Sequence, residues 1–218
     1  MSTQLRKNPC QSWKLYVITG SGAPEGRSLK ETVRLAIDGG ASVIQLRDKK
    51  TSDKELIQVA RELLTLTRSR KIPLIINDRI EVAKISGADG VHLGQEDGPL
   101  EKARVLLGKD AIIGRSTHSP EQALLAVQEG FDYIGVGPVF KTPAKPTVAP
   151  VGLEFVRFAV NNIAIPFVAI GGIDEANINE VLQAGARCTA VVRAVMTAED
   201  PKKMSKALIR RIENFYGK

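Results

Sequence analysis

The chain lacks several features that define other classes of protein. Its two cysteines, Cys10 and Cys188, are far apart and give neither a disulfide framework nor a metal-ligand spacing. No apolar run approaches the roughly 18 residues that span a membrane. The N-terminus, MSTQLRKNPCQSWK, is polar and has no apolar core of a signal peptide. We therefore expect a cytoplasmic protein with no membrane partner.

Aromatic residues are also scarce, at 5% of 218 residues, although 43% of the chain is hydrophobic. The apolar mass is Ala, Val, Ile and Leu, a composition typical of α/β proteins with buried parallel strands. A chain of this length forms one ordinary domain with an ample core, or at most two small ones.

Acidic residues are fewer than basic ones: the sequence has 24 Asp and Glu and 31 Lys and Arg, which gives a formal net charge of +7. A positive balance favours nucleic acid, anionic lipid or phosphorylated metabolites. The basic residues are scattered along helical stretches, without the interleaved aromatics of an RNA-binding motif. Phosphorylated small molecules are therefore the expected partners, rather than nucleic acid.

Apolar stretches that read as strands alternate with helical patterns along the chain. The predicted strands are 14–20, 42–49, 73–78, 89–97, 111–119, 133–137, 165–172 and 187–194. Alternation at spacings of roughly 20–30 residues indicates right-handed βαβ units and a parallel sheet. Eight such units predict a single closed (β/α)8 TIM barrel over residues 14–218, after a polar leader, residues 1–13. An open doubly wound sheet is the alternative, but no GxGxxG opens the first helix.

The active site of such a barrel lies at the carboxyl ends of its strands. Alternation along strand two directs Gln45, Arg47 and Lys49 to one side. An arginine that faces a barrel interior is costly unless it binds something. Arg47 and Lys49 suit a pyrophosphate, because Arg offers bidentate hydrogen bonds and Lys a point charge. The alternative is an internal ion pair with Asp48 or Asp78.

Predicted strand three ends in Asp78, and predicted strand four ends in Asp97. Carboxylates beside a phosphate site are the hard oxygen ligands that Mg²⁺ prefers. Each could instead cap the helix that follows it. The position of the pair beside Arg47 and Lys49 favours the metal.

Strand five ends with Ser116, which can contact a ligand, followed by His118. His118 could be an acid or a base, although a lone histidine is more often a hydrogen-bonded bystander. His92 lies between apolar residues in strand four, and we expect it to be a satisfied interior histidine.

A second anion site is predicted at strands seven and eight, which end in Gly171-Gly172 and Val192-Arg193. Barrels often hold a phosphate there with backbone N–H groups. Glycine allows close approach, and Arg193 adds charge. The alternative for the glycine pair is a tight strand-to-helix turn.

The loop after strand six carries Thr142 and Lys145, a hydroxyl and an ammonium a few residues apart. These residues suit an anion clamp, or else they belong to a proline-stiffened surface loop. Together, the two anion sites imply a reaction that joins two phosphorylated substrates with loss of pyrophosphate. Mg²⁺ would stabilise that leaving group.

Seven motifs in barrel order resemble the thiamine phosphate synthase family from Lys14 to Pro201. They are QLRDK, INDR, GADGVHLGQED, IGRSTHS, DYIGVGPVFKTPAK, VAIGGI and AVVRAV. The resemblance implies a transferase of thiamine biosynthesis that couples hydroxymethylpyrimidine pyrophosphate to hydroxyethylthiazole phosphate, with Mg²⁺. It also implies a dissociative mechanism through a pyrimidine methyl cation.

The resemblance further implies roles for individual residues. The pyrimidine pyrophosphate is expected at Gln45, Leu46, Arg47, Asp48, Lys49, Asn77, Ser116 and Lys145. The thiazole phosphate is expected at Thr142, Pro143, Ala144, Gly172, Val192 and Arg193. Asp78 and Asp97 would bind Mg²⁺, and Lys145, Arg47 and Ser116 would be catalytic.

Two positions depart from the family pattern: Ala144 replaces a threonine of many members, and Arg193 a serine. The nearest rival function is a thiazole tautomerase on the same fold, whose histidine His118 matches. That group tends to lose the acidic pair, which this chain keeps. A catalytically silent barrel that binds phosphorylated ligands and a nucleic-acid binder are further alternatives. A homodimer is compatible with the sequence, which does not specify the oligomeric state.

Overall fold

The computed structural model describes residues 8–20, 24–143 and 148–217, and its strands form a closed parallel barrel. Each strand pairs with the next one in sequence, and the last pairs with the first. The predicted (β/α)8 barrel is confirmed. The strands are β1 Leu15–Ile18, β2 Val43–Leu46, β3 Leu74–Asn77, β4 Gly90–Leu93, β5 Ile112–Thr117, β6 Tyr133–Val136, β7 Phe167–Ile170 and β8 Thr189–Val191.

Helices surround the barrel. They are α1 Leu29–Asp38, α2 Asp53–Ser69, α3 Ile80–Ser86, α4 Leu100–Leu107, α5 Pro120–Glu129, α6 Gly152–Asn162, α7 Ile178–Gln183, α8 Arg193–Met196 and α9 Pro201–Tyr216. Helices α1, α2, α5 and α9 begin at side-chain caps. Ser52 and Glu55 form the expected capping box at the start of α2. Among the described residues, none of these helices has both the length and the apolar character needed to cross a bilayer.

Side chains alternate between the barrel interior and the helices, as the two-residue period of a strand requires. In β1, Leu15 and Val17 join the main core between strands and helices. Tyr16 and Ile18 point the other way and join a smaller cluster with Tyr133 of β6. The inward positions of the strands therefore form the floor of any site at the carboxyl end.

The segment before β1 closes the opposite end of the barrel. Pro9–Ser12 forms a 3-10 helix, and Cys10 and Trp13 are only 3% and 5% exposed. The ring of Trp13 meets Tyr16 and Tyr133 edge-on, with centroids 5.6 and 5.0 Å away. The polar composition of this segment does not predict that packing.

The end of strand eight differs from the prediction. The strand ends at Val191, and Arg193 begins the short helix α8 instead of lying on the strand. The reason lies at Val192, whose φ of −115° and ψ of −85° leave the extended region and turn the chain. The predicted placement of Arg193 on a strand end is therefore wrong.

Candidate active site

A cavity of about 920 Å³ opens at the carboxyl ends of the strands. Eleven of the residues predicted to bind substrate or metal line it: Gln45, Arg47, Lys49, Asn77, Asp78, Asp97, Ser116, Thr142, Gly172, Val192 and Arg193. Residues that are distant in sequence meet here because parallel strands bring their carboxyl ends to the same edge.

Three predicted ligand residues do not line this cavity. Leu46 is 1% exposed and packs in the main core outside the barrel, because it alternates with Gln45. The carboxylate of Asp48 accepts hydrogen bonds from the backbone of Lys50 and from Thr51, so it caps its own turn. Pro143 is exposed on the loop after β6. Two more, Ala144 and Lys145, lie outside the described residues.

Arg47 and Lys49 present their side chains to the cavity. The backbone N–H of Arg47 donates to Thr19 Oγ1 (2.9 Å), which fixes the end of β2. Within the part of the chain that the structure describes, the salt bridges do not include Arg47. An internal ion pair with Asp48 or Asp78 therefore does not account for the arginine.

Asp78 and Asp97 form a carboxylate pair in the cavity wall. Burial, then the hydrogen bond and the charge of Asp97, raise the pKa of Asp78 to about 6, while Lys49 opposes the shift. Asp97 Oδ2 accepts from the backbone N–H of Gly94 at 2.6 Å. The helices that follow have Arg79 and Pro99 at their N-caps, without a side-chain cap. Neither aspartate is thus a helix cap.

This pair fits a magnesium ion in its chemistry. Two carboxylates in hydrogen-bond contact repel each other when both are ionised, and a divalent cation removes that repulsion. The described residues contain no cluster of three or more His, Cys, Asp or Glu side chains that could hold a metal. A cation at this pair would therefore complete its shell with water and substrate phosphates, which is the usual arrangement for Mg²⁺.

A chain of buried polar groups crosses the cavity floor, and sequence reasoning did not find its two tyrosines. Gln45 Nε2 donates to Tyr16 Oη (2.8 Å), and Tyr16 Oη lies 2.9 Å from Tyr133 Oη. Tyr133 Oη lies 3.0 Å from His92 Nδ1, and His92 Nε2 lies 2.9 Å from Ser116 Oγ. Burial raises the pKa of both tyrosines well above the usual range.

The hydroxyls of Tyr16 and Tyr133 therefore stay neutral. His92 is hydrogen-bonded through both ring nitrogens, so the expectation that it is a satisfied interior histidine is confirmed. The signal that could have found Tyr16 and Tyr133 is alternation. Each occupies an inward position of its strand, as Gln45 does in β2.

Gly171 and Gly172 need their lack of a side chain for two reasons. Their φ angles are +106° and +67°, a region that favours glycine. A Cβ on Gly172 would lie 2.7 Å from the carbonyl oxygen of Lys141 and 2.8 Å from Phe140 Cβ. The pair is thus a tight turn, as one interpretation held, and it also lines the cavity.

Two arginines that the sequence did not single out hold the loops of the site. Arg115 donates to the carbonyls of Gly98 (2.9 Å) and Gln95 (3.1 Å), and its guanidinium lies over the ring of Phe131. These bonds tie the β4–α4 loop, which carries Asp97, to β5.

Arg79 has the same role in the β2–α2 loop. It donates to the carbonyls of Thr51 (2.7 Å) and Asp48 (3.0 Å), and it pairs with Asp53. The loop that follows Lys49 is thereby joined to the start of α3.

His118 also lines the cavity. Its Nδ1 is hydrogen-bonded to the carbonyl oxygen of Gly137, and its backbone N–H donates to Gln122 Oε1 at 2.7 Å. The ring is therefore anchored by its δ nitrogen at the end of β6.

Known proteins are similar to this chain in sequence and fold. The family model described as thiamine monophosphate synthase matches residues 15–195. The thiamine-phosphate synthase of Chloroflexus aurantiacus is 47% identical over 197 residues, 90% of this chain and 91% of the relative. The one from Shouchella clausii is 46% identical over 202 residues, 92% and 97% of the two chains. The solved thiamine phosphate pyrophosphorylase of Pyrococcus furiosus is 41% identical, with a TM-score of 0.85 over 94% of this chain and 98% of that one.

Proposed function

Because the chain belongs to the thiamine monophosphate synthase family, we propose that it couples hydroxymethylpyrimidine pyrophosphate with hydroxyethylthiazole phosphate. The products are thiamine phosphate and pyrophosphate. The observation that carries the proposal is the cavity, in which cationic side chains and a carboxylate pair from separate strands lie together. A reaction between two anionic substrates needs both.

The pyrimidine pyrophosphate would bind on the side of β2 to β5. Arg47 and Lys49 supply positive charge, and Asn77 and Ser116 supply neutral hydrogen-bonding groups. Asp78 and Asp97 would hold Mg²⁺, which when bound offsets the negative charge of the pyrophosphate. Lys145 remains a prediction for the same ligand.

The thiazole phosphate would bind on the opposite side, next to Gly172, Arg193 and Thr142. Gly172 takes the left-handed turn that brings its backbone to the cavity wall. Arg193 extends from α8 and adds charge where many relatives carry serine.

We propose a dissociative course for the reaction. The C–O bond between the methylene carbon and the pyrophosphate breaks, and its electron pair leaves with the pyrophosphate. The lone pair of the thiazole nitrogen then forms the new C–N bond with the pyrimidine methyl cation. The residues of the chain position both substrates and stabilise the departing charge, so no side chain acts as a nucleophile.

The thiazole tautomerase remains the rival, with His118 as its acid or base. The anchored Nδ1 of His118 and the retained carboxylate pair do not favour it over the synthase. The cytoplasmic location and the homodimer stay predictions.

One assay tests the proposal. The purified protein is mixed with both phosphorylated substrates and Mg²⁺, and thiamine phosphate and pyrophosphate are measured. We expect Asp78→Ala and Asp97→Ala to abolish turnover. Glu101→Gln is the matched control, because Glu101 is an exposed carboxylate at the start of α4 and does not line the cavity; its turnover should stay within about threefold of wild type. Retained turnover in Asp78→Ala would refute the metal assignment, and no thiamine phosphate from wild type would refute the function.

A further inference from the structure

The polar chain on the cavity floor connects two residues of the proposed substrate site. Gln45 at one end and Ser116 at the other both line the cavity, and Tyr16, Tyr133 and His92 join them through the barrel interior. None of these three has a role in the mechanism above. Because Gln45, Tyr16, Tyr133 and His92 are buried, the direction of each hydrogen bond is constrained by its neighbours.

The hydrogen bonds on the cavity floor all point in one direction, because each group donates to the next from Gln45 toward Ser116. Tyr16 Oη accepts from the amide of Gln45, and within the described residues its only other hydrogen-bond partner is Tyr133. If Tyr133 donated to it, the Tyr16 proton would be buried without an acceptor, which is strongly unfavourable. Tyr16 therefore donates to Tyr133.

The same reasoning determines which ring nitrogen of His92 carries the proton. Tyr133 accepts from Tyr16, so its own proton goes to His92 Nδ1. A neutral imidazole with an unprotonated Nδ1 carries its proton on Nε2. His92 Nε2 then donates to Ser116 Oγ, and the Ser116 hydroxyl proton remains for an acceptor in the cavity.

The sequence makes room for this chain of bonds. A Cβ at Gly114 in β5 would collide with the ring of Tyr133 and lie 2.6 Å from His92 Nδ1, so only glycine fits beside the pair. Trp13 packs edge-on against both tyrosine rings from the other end of the barrel. The hydroxyls are thus held in place by packing as well as by hydrogen bonds.

We infer that Tyr16, Tyr133 and His92 are positioning residues that make Ser116 a hydrogen-bond donor to the leaving pyrophosphate. The inference rests on the proposed function. In the opposite orientation Ser116 would donate to His92 and direct only its lone pairs at the anionic oxygens, which repels them. The hydroxyl proton stays on Ser116 throughout, and its hydrogen bond to the pyrophosphate strengthens as negative charge develops there.

The first test needs no substrate. The chain has two histidines, so ¹⁵N NMR of the histidine-labelled full chain, with His118→Gln for assignment, reports the tautomer of His92. We expect the neutral form protonated at Nε2, and loss of that preference in Tyr133→Phe. Protonation at Nδ1 in the wild-type protein would overturn the inference, whether or not the protein is a synthase.

The second test is kinetic and uses two of the three tyrosines in the sequence. Tyr133→Phe should lower kcat by about tenfold or more, the effect of weakening one hydrogen bond to a charged group. Tyr216→Phe is the matched control: Tyr216 Oη donates to the carbonyls of Leu182 and Ala186, outside the cavity, so kcat should stay within about twofold.

The same substitution is then made in Ser116→Ala. If Tyr133 acts through Ser116, Tyr133→Phe should lower kcat little further in that background, by less than about twofold. An equal loss in both backgrounds would overturn the inference and assign Tyr133 a general structural role. A wild-type protein without synthase activity refutes the proposed function alone, because the NMR result still decides the direction of the bonds.

Discussion

Asp78 is the residue in which function and stability conflict most directly. Its φ of +63° lies in the left-handed region that a non-glycine residue rarely adopts, and burial beside Asp97 raises its pKa to about 6. Both features cost free energy in the ligand-free protein. Strain of this kind is common where a site is prepared for a ligand, which here would be the magnesium ion.

Asp78→Asn should therefore stabilise the ligand-free protein while it abolishes magnesium-dependent turnover. The folded state holds the Asp78 proton more tightly than the unfolded state, so its contribution to stability falls as pH rises from about 4 to about 6 and stays low above that. Asparagine does not ionise and tolerates the left-handed region. After allowance for solvent screening we expect a gain of about 1 kcal/mol at pH 7.5, or about 2–4 °C in Tm.

Thermal unfolding without Mg²⁺ checks this, at pH 7.5 and at pH 5. The gain should be smaller at pH 5, where the wild-type carboxyl is largely protonated in the folded protein. A Tm at pH 7.5 equal to or below that of wild type would contradict the prediction.

Gly172 offers a second prediction at this scale. Gly172→Ala combines a strained φ with a collision against Phe140 and Lys141, so it should cost more stability than strain alone and raise KM for the thiazole phosphate. Gly87→Ala is the matched control, because Gly87 has φ +76° but its Cβ would meet only Arg68 Nη2, at 3.6 Å. We expect Gly87→Ala to lose about 1 kcal/mol without a change in KM, measured by denaturant unfolding and steady-state kinetics. Equal losses from the two variants would refute the argument.

At the scale of the elements, arginines outside the loops hold the loops at the carboxyl ends of the strands in place. The loop from Gly94 to Gly98 carries Asp97 but has no regular structure, and Arg115 in the neighbouring strand bonds two of its carbonyls. A bidentate guanidinium suits this task, because it makes two bonds from one planar group.

Arg115→Lys should consequently raise the Mg²⁺ concentration needed for half-maximal turnover, by about tenfold, since one ammonium replaces two directed bonds. Arg104→Lys is the matched control: Arg104 bonds the carbonyl of Ala111 and pairs with Asp132, at the amino ends of β5 and β6. That variant should lose stability and keep its magnesium requirement. Titration of turnover with Mg²⁺ separates the two, and an unchanged requirement in Arg115→Lys would show that Asp97 is held by other contacts.

Considered as a whole molecule, the barrel is open to ligand at one end and closed at the other. The segment before β1 closes the amino end, and Trp13 reaches the tyrosines that form the cavity floor. Changes at the closed end should therefore affect both stability and the site.

Trp13→Ala should lower the free energy of unfolding by about 3–5 kcal/mol, the usual cost of removing a buried aromatic ring. Phe215→Ala is the control, because Phe215 on α9 is 42% exposed; it should cost less than about 1 kcal/mol. Denaturant unfolding of the full chain measures both, and a loss in Trp13→Ala no larger than that in Phe215→Ala would contradict the prediction.

The sequence by itself determined the architecture. Apolar strands alternate with amphipathic helices, and local signals such as the Ser52 capping box place the helix starts, because these depend on residues close together in the chain. Most of the ligand residues that it predicted line the cavity, because all parallel strands end at the same edge of a barrel.

Only the tertiary structure decided how those residues are used. It showed that Asp48 caps its own turn, moved Arg193 from a strand to α8, and joined Tyr16, Tyr133 and His92 in one buried chain of hydrogen bonds. Each outcome depends on backbone turns of a few residues or on contacts between strands more than 25 residues apart. Periodicity along the chain carries no information about such contacts, because they form only when the barrel closes.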